Sequence, residues 1–101
     1  MTEREMIQAI LEQTIGSTNV YYQPPATVKI KYPAVVYKLD RIKKTTANNK
    51  WYHLKSTYQA TLIYKEPDSP LPYEFAKLDK CEHVSHYMSD NLYHDIYSIE
   101  I

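Results

Sequence analysis

The chain has 101 residues, with twelve Lys or Arg balanced by twelve Asp or Glu, so its formal net charge is zero. That length supports one domain of two layers around one core, so residues 1–101 are read as a single unit. A single cysteine, Cys81, excludes an internal disulfide framework or a cysteine-rich zinc site, and a single glycine, Gly16, excludes a glycine-rich phosphate loop.

Tyrosine supplies 11 of the 13 aromatic residues. Such residues suit a strand surface that is apolar along the ring and wet at the hydroxyl. The opening stretch MTEREMIQAILEQT is charged where a secretory signal needs an apolar run. No apolar run approaches the ~20 residues of a membrane span. The expectation is a protein made and used in the cytosol, with no membrane partner.

Charge is unevenly spread. Residues 29–65 hold nine Lys or Arg and one acid, Asp40, whereas residues 66–101 hold eight acids and two lysines. Asymmetry of this kind marks a surface that meets something charged.

In chain order, Thr2 and Glu5 have capping-box spacing, and Met6, Ile7, Ile10 and Leu11 form one helical stripe. Gly16 stands at a C-cap position, which predicts a helix over 3–14. NVYYQPP reads as a short strand stopped by Pro24 and Pro25. ATVKIKYP is a connector or an edge, because Pro33 cannot donate to a ladder. AVVYKLDRI alternates as a strand, with Val35, Tyr37, Leu39 and Arg41 on one face and Val36, Lys38, Asp40 and Ile42 on the other. TTANNK, residues 45–50, reads as a turn.

The return strand alternates from Tyr52 to Lys65, with Tyr58, Ala60, Leu62 and Tyr64 on the face expected to be buried. Leu71, Phe75 and Leu78 predict a short second helix over 70–79, capped by Asp68 or Ser69. The last segment predicts a hairpin turning at Asp90–Asn91. It pairs Met88 with Tyr93, His86 with Asp95 and Val84 with Tyr97, and buries Val84, Met88, Tyr93, Tyr97, Ile99 and Ile101.

The order is α-β-β-β-α-β-β. It implies an α+β fold: a mainly antiparallel sheet with two helices on one face and a long β-hairpin arm over 38–55.

Little in the sequence points to catalysis. In the predicted register His83 shares a face with His94 rather than His86, and His53 belongs to another hairpin, so no tetrahedral metal site is expected. His86 and Asp95 form a cross-strand polar pair without an adjacent nucleophile motif. No cofactor, metal ligand or catalytic residue is assigned. The basic residues Lys38, Arg41, Lys43, Lys44 and Lys50, interleaved with Trp51 and Tyr52, fit an assembly interface. Together with Lys55 and Tyr58 they also fit a small nucleic-acid-binding module that uses the basic 38–55 hairpin to neutralise phosphates and stack bases.

The stretches YPAVVYKLDRI (32–42), YQATLIYKEPDSP (58–70) and DNLYHDIYSIEI (90–101) resemble a family of small phage proteins. These are the tail terminator and tail-completion (head–tail joining) proteins of long-tailed bacteriophages. The resemblance extends from the first helix to the last strand and implies the same fold order. It implies a non-enzymatic virion protein of the tail and neck, assembled in the host cytoplasm as a ring, generally a hexamer, on the end of the tail tube. Its partners would be other copies of itself, the tail tube protein, the head connector or head-completion protein, and DNA passing through the channel without sequence specificity. The arm would then be an assembly element.

Overall fold

The computed structural model describes residues 2–47 and 51–100, and within the long hairpin the side chains up to Lys44 and again from Leu54. Helix α1 spans Glu3–Ile15. The Thr2 hydroxyl accepts the Glu5 N–H at 3.2 Å, and the Glu5 carboxylate accepts the Thr2 N–H at 3.4 Å, which closes the capping box. Gly16, at φ 77°, ends the helix in the left-handed region and donates its N–H to the Glu12 carbonyl. The predicted stripe divides: Ile7 and Leu11, joined by Ile15 one turn later, are buried, whereas Met6 and Ile10 stay 44% exposed on its flank.

Five strands follow: β1 (Val20–Tyr22), β2 (Ala34–Ala47), β3 (Trp51–Tyr64), β4 (Cys81–Ser89) and β5 (Leu92–Glu100), with helix α2 (Leu71–Ala76) between β3 and β4. They form one sheet in the order β1-β2-β3-β5-β4. Among the described residues only the β1–β2 pair is parallel. The α+β order expected from the sequence is the order observed. Residues 26–33 contain no strand, as a connector before Pro33 requires.

Every second residue of the central strands enters the core. Val35 and Tyr37 of β2, Tyr58, Ala60, Leu62 and Tyr64 of β3, and Tyr97 and Ile99 of β5 pack with Ile7, Leu11, Ile15 and Phe75. Burying each of the large apolar side chains contributes about 1.5–3 kcal/mol. The buried tyrosines satisfy their hydroxyls at the helices: Tyr37 donates to Gln8 Oε1 at 2.6 Å, and Tyr97 donates to the Pro72 carbonyl at 2.7 Å. These two bonds tie α1 to β2 and the start of α2 to β5. Over the opposite face there is no helix among the described residues. That face carries half-buried Val36, Gln59, Thr61 and Ile96, with Tyr87 stacked on His94 at 4.7 Å between ring centroids.

Helix α2 is shorter than the predicted 70–79. The Ser69 hydroxyl accepts the Leu71 N–H at its start, and Lys80, at φ 58°, turns the chain into β4. Leu78 lies beyond the helix and still packs against the core. The β4–β5 turn is as expected, with Asp90 and Asn91 both at positive φ, the geometry of a two-residue type I′ hairpin.

Two single-residue bulges alter the predicted faces. Leu39 pairs with Tyr58 but Arg41 with Thr57, so Asp40 is an extra residue. It moves Arg41 off the helix-covered face and puts Ile42 onto it. On β4, His83 pairs with Tyr97 and Ser85 with Ile96, so Val84 is the extra residue. The expected Val84–Tyr97 pair is therefore absent, and Val84 is 59% exposed instead of buried. Met88 does pair with Tyr93, but at the sheet edge, where it is 57% exposed. Tyr97 and Ile99 are buried as expected, Tyr93 is half-buried, and Ile101 lies outside the described residues.

Thr57, opposite Glu100 where β5 pairing ends, is buried, and its hydroxyl has no hydrogen-bond partner among the described residues. A buried unsatisfied hydroxyl costs about 1–3 kcal/mol. The Thr57→Val variant keeps the branched shape and removes the orphan oxygen. It should raise unfolding stability by about 1 kcal/mol in urea titration.

Candidate assembly interface

The β2–β3 hairpin outruns the sheet that supports it. β3 pairs with β5 only from Thr57 to Tyr64. Beyond that, six pairs from Ile42–Ser56 to Ala47–Trp51 form a two-stranded arm. Six pairs at ~3.3 Å per residue carry it about 20 Å past the core, and the molecule measures 52 × 26 × 23 Å.

Strand alternation, reset by the Asp40 bulge, sorts the arm's side chains. Arg41, Lys43 and Lys55 share the open face with Lys38 nearer the core, and all four are exposed. Lys43 and Lys55 are cross-strand neighbours of like charge. Glu100 offsets this, with its carboxylate oxygens 3.9 Å from Lys43 Nζ and 3.5 Å from Lys55 Nζ. Exposed pairs of this kind contribute about 0–1 kcal/mol each. The other face carries Ile42, 58% exposed, and Leu54, 66% exposed, with Lys44 directly opposite Leu54.

Of the predicted interface residues, the fold thus gathers Lys38, Arg41 and Lys43 on one face and sets Lys44 on the other. Lys50 lies outside the described residues. Trp51 and Tyr52 open β3 opposite Ala47 and Thr46, and their side chains likewise fall outside what is described. Sequence reasoning missed Ile42 and Leu54 as interface residues, and Lys55, expected in the basic arm, joins the open face. The alternation of β3 did contain a signal, because Leu54 continues the buried series Tyr58, Ala60, Leu62 past the point where helices can cover it.

The far end of the sheet holds a second constellation. Asp95 on β5 is buried, and its carboxylate collects three donors. The Tyr64 hydroxyl of β3 donates to Oδ2 at 2.7 Å, and His83 Nε2 and His86 Nδ1 of β4 both lie 2.8 Å from Oδ1. An ionised carboxylate only accepts, so each of those ring nitrogens carries its proton. The His86–Asp95 pair is the one expected. His83 joins it as a correction, because the Val84 bulge turns His83 onto the His86 face and away from His94.

Burial alone would raise the Asp95 pKa. The hydrogen bonds from His83, Tyr64 and His86 outweigh it and hold the carboxyl below its ordinary value. The same neighbour and its own burial push the Tyr64 hydroxyl well up. Over the cluster opens a cleft of about 420 Å³, walled by Pro67, Pro72 and Tyr73. Among the described residues no group of three His, Cys, Asp or Glu could hold a metal ion. Burial pushes the Cys81 thiol up to about 11, which leaves it a poor nucleophile at neutral pH.

The sequence matches no known protein family and no curated protein.

The Asp95 cluster is tested through stability. Asp95→Asn keeps the side-chain volume and loses the charge-assisted bonds, so it should cost roughly 1–3 kcal/mol at pH 7. A carboxyl with a depressed folded pKa contributes stability above its unfolded value, about pH 4, and loses it as pH falls through the folded value. In urea titrations, the gap between parent and variant should therefore narrow below about pH 4.

Proposed function

We propose that this chain is a non-enzymatic structural subunit that assembles as a ring on the tail tube of a long-tailed phage. The ring ends tube polymerisation and presents the joining surface to the head connector. The observation that carries this reading is the arm: a two-stranded extension with exposed Ile42 and Leu54 and a cluster of basic residues. A two-stranded hairpin is marginally stable by itself in water, and exposed apolar side chains on it call for a covering surface. The resemblance of the strand and turn stretches to tail terminator and tail-completion proteins supplies the setting, and the element order agrees with that family's.

In this reading the chain's partners are its own copies in a hexamer, the tube protein and the connector, with DNA passing unspecifically through the channel. Its place is the virion neck. No described helix is long and apolar enough to cross a membrane.

A second reading rests on a specific observation. Lys38, Arg41, Lys43 and Lys55 line one face, as a phosphate-tracking groove would. Glu100 weakens it by sitting between two of those lysines.

Native mass spectrometry from low to high micromolar concentration separates the two readings. A ring protein gives a closed oligomer that grows in with concentration, together with weak, unspecific DNA affinity. A nucleic-acid module gives a monomer or dimer that binds DNA with a steep loss of affinity as salt rises. A chain that stays monomeric throughout would count against the ring.

A further inference from the structure

The arm and the Asp95 cleft lie at opposite ends of the long axis, and their chemistries are complementary. Residues 41–57 contain five Lys or Arg and no acid. The far end, residues 64–78 and 83–95, contains the acids Glu66, Asp68, Glu74, Asp90 and Asp95 against Lys65 and Lys77.

The cleft is built to receive a donor. In the neutral form each imidazole spends its one N–H on Asp95 Oδ1, which leaves His83 Nδ1 and His86 Nε2 as acceptors. Beneath them sits an ionised carboxylate with its own oxygens already bonded. Lysine brings three donors, a positive charge and no acceptor. Tyr73, 73% exposed at the cleft mouth, offers an aromatic face to the cation and an apolar wall to its stem. Met88, two residues beyond His86 on the same face of β4, is a second exposed apolar side chain. The arm matches both features, with Lys44 flanked by Ile42 and Leu54 on one face.

We infer that the cleft over His83, His86 and Asp95 is the receptor for the arm of a second copy of this chain, with Lys44 reaching the histidines and Ile42 and Leu54 packing on Tyr73 and Met88. This inference rests on the reading of the protein as self-assembling and names the two surfaces that meet. Each chain carries one arm and one receptor at opposite ends, so the contact is head-to-tail, and such contacts close into a ring when the rotation permits. Apolar contact supplies most of the affinity. The charges fix partner and register.

Two exposed-site variants test it. Lys44→Glu/Leu54→Ser spoils the arm and leaves the receptor, whereas Tyr73→Lys spoils the receptor and leaves the arm. Circular dichroism and urea titration should show both folded. Sedimentation velocity of each alone should show association weakened at least about tenfold. Mixed one to one, the variants retain a single good interface per pair, so a heterodimer should form and nothing larger. If the parent oligomerises and either variant does so equally well, the receptor assignment is overturned while the self-assembly reading stands. Two weakened variants that yield no heterodimer also overturn it, because they would share one isologous patch. A parent that never oligomerises overturns both.

Discussion

The structure depends on the second half of β3. From Thr57 to Ile63 this strand is paired on both sides, to β2 and to β5, and Tyr64 continues the β5 ladder alone. Its alternate residues Tyr58, Ala60, Leu62 and Tyr64 lie under the helices. Both edges and one face are thereby satisfied over seven residues. The first half of the same strand has one paired edge and no helix above it. One strand thus runs from a rigid, doubly paired root to an arm whose order rests on that root and on whatever covers it. The fold fixes where the arm starts and in which direction it points.

Two extra residues set the chemistry of the surfaces. The Asp40 bulge carries Arg41 onto the face of Lys38, Lys43 and Lys55, and leaves Ile42 and Leu54 together on the other side. The Val84 bulge brings His83 round to Asp95 beside His86. Bulges re-aim side chains with little change to the rest of a ladder. Without the first, charge and apolar contact would be mixed on each face of the arm. Without the second, the carboxylate would hold one imidazole.

The legible and illegible parts of the sequence divide along the same line. Thr2 and Glu5, Gly16, and the Asp90–Asn91 turn each act through neighbours four or fewer residues away, and each was readable. The long alternation of β3 was readable because period two persists over fourteen residues. The bulges were not, because Asp40 and Val84 are ordinary strand residues, and a register shift shows only when the partner strand is known. Tyr64 and Asp95 stand 31 residues apart, and only the β3–β5 pairing brings them together. Their bond could not be read from spacing. Val84 was misread as buried because of its unseen register shift, and Met88 because alternation marks a face and does not say where the covered part of the sheet ends.

The account's central claim is that another copy of the chain covers the arm, and hydrogen–deuterium exchange at two protein concentrations tests it most directly. Amides of residues 42–47 and 51–56 have no third strand among the described residues, so in dilute protein they should exchange faster than those of residues 57–63. Raising the concentration should slow exchange in the arm and around residues 69–76 and 83–88 together, with the core of β3 unchanged. Exchange in the arm that is fast and identical at both concentrations would contradict the claim.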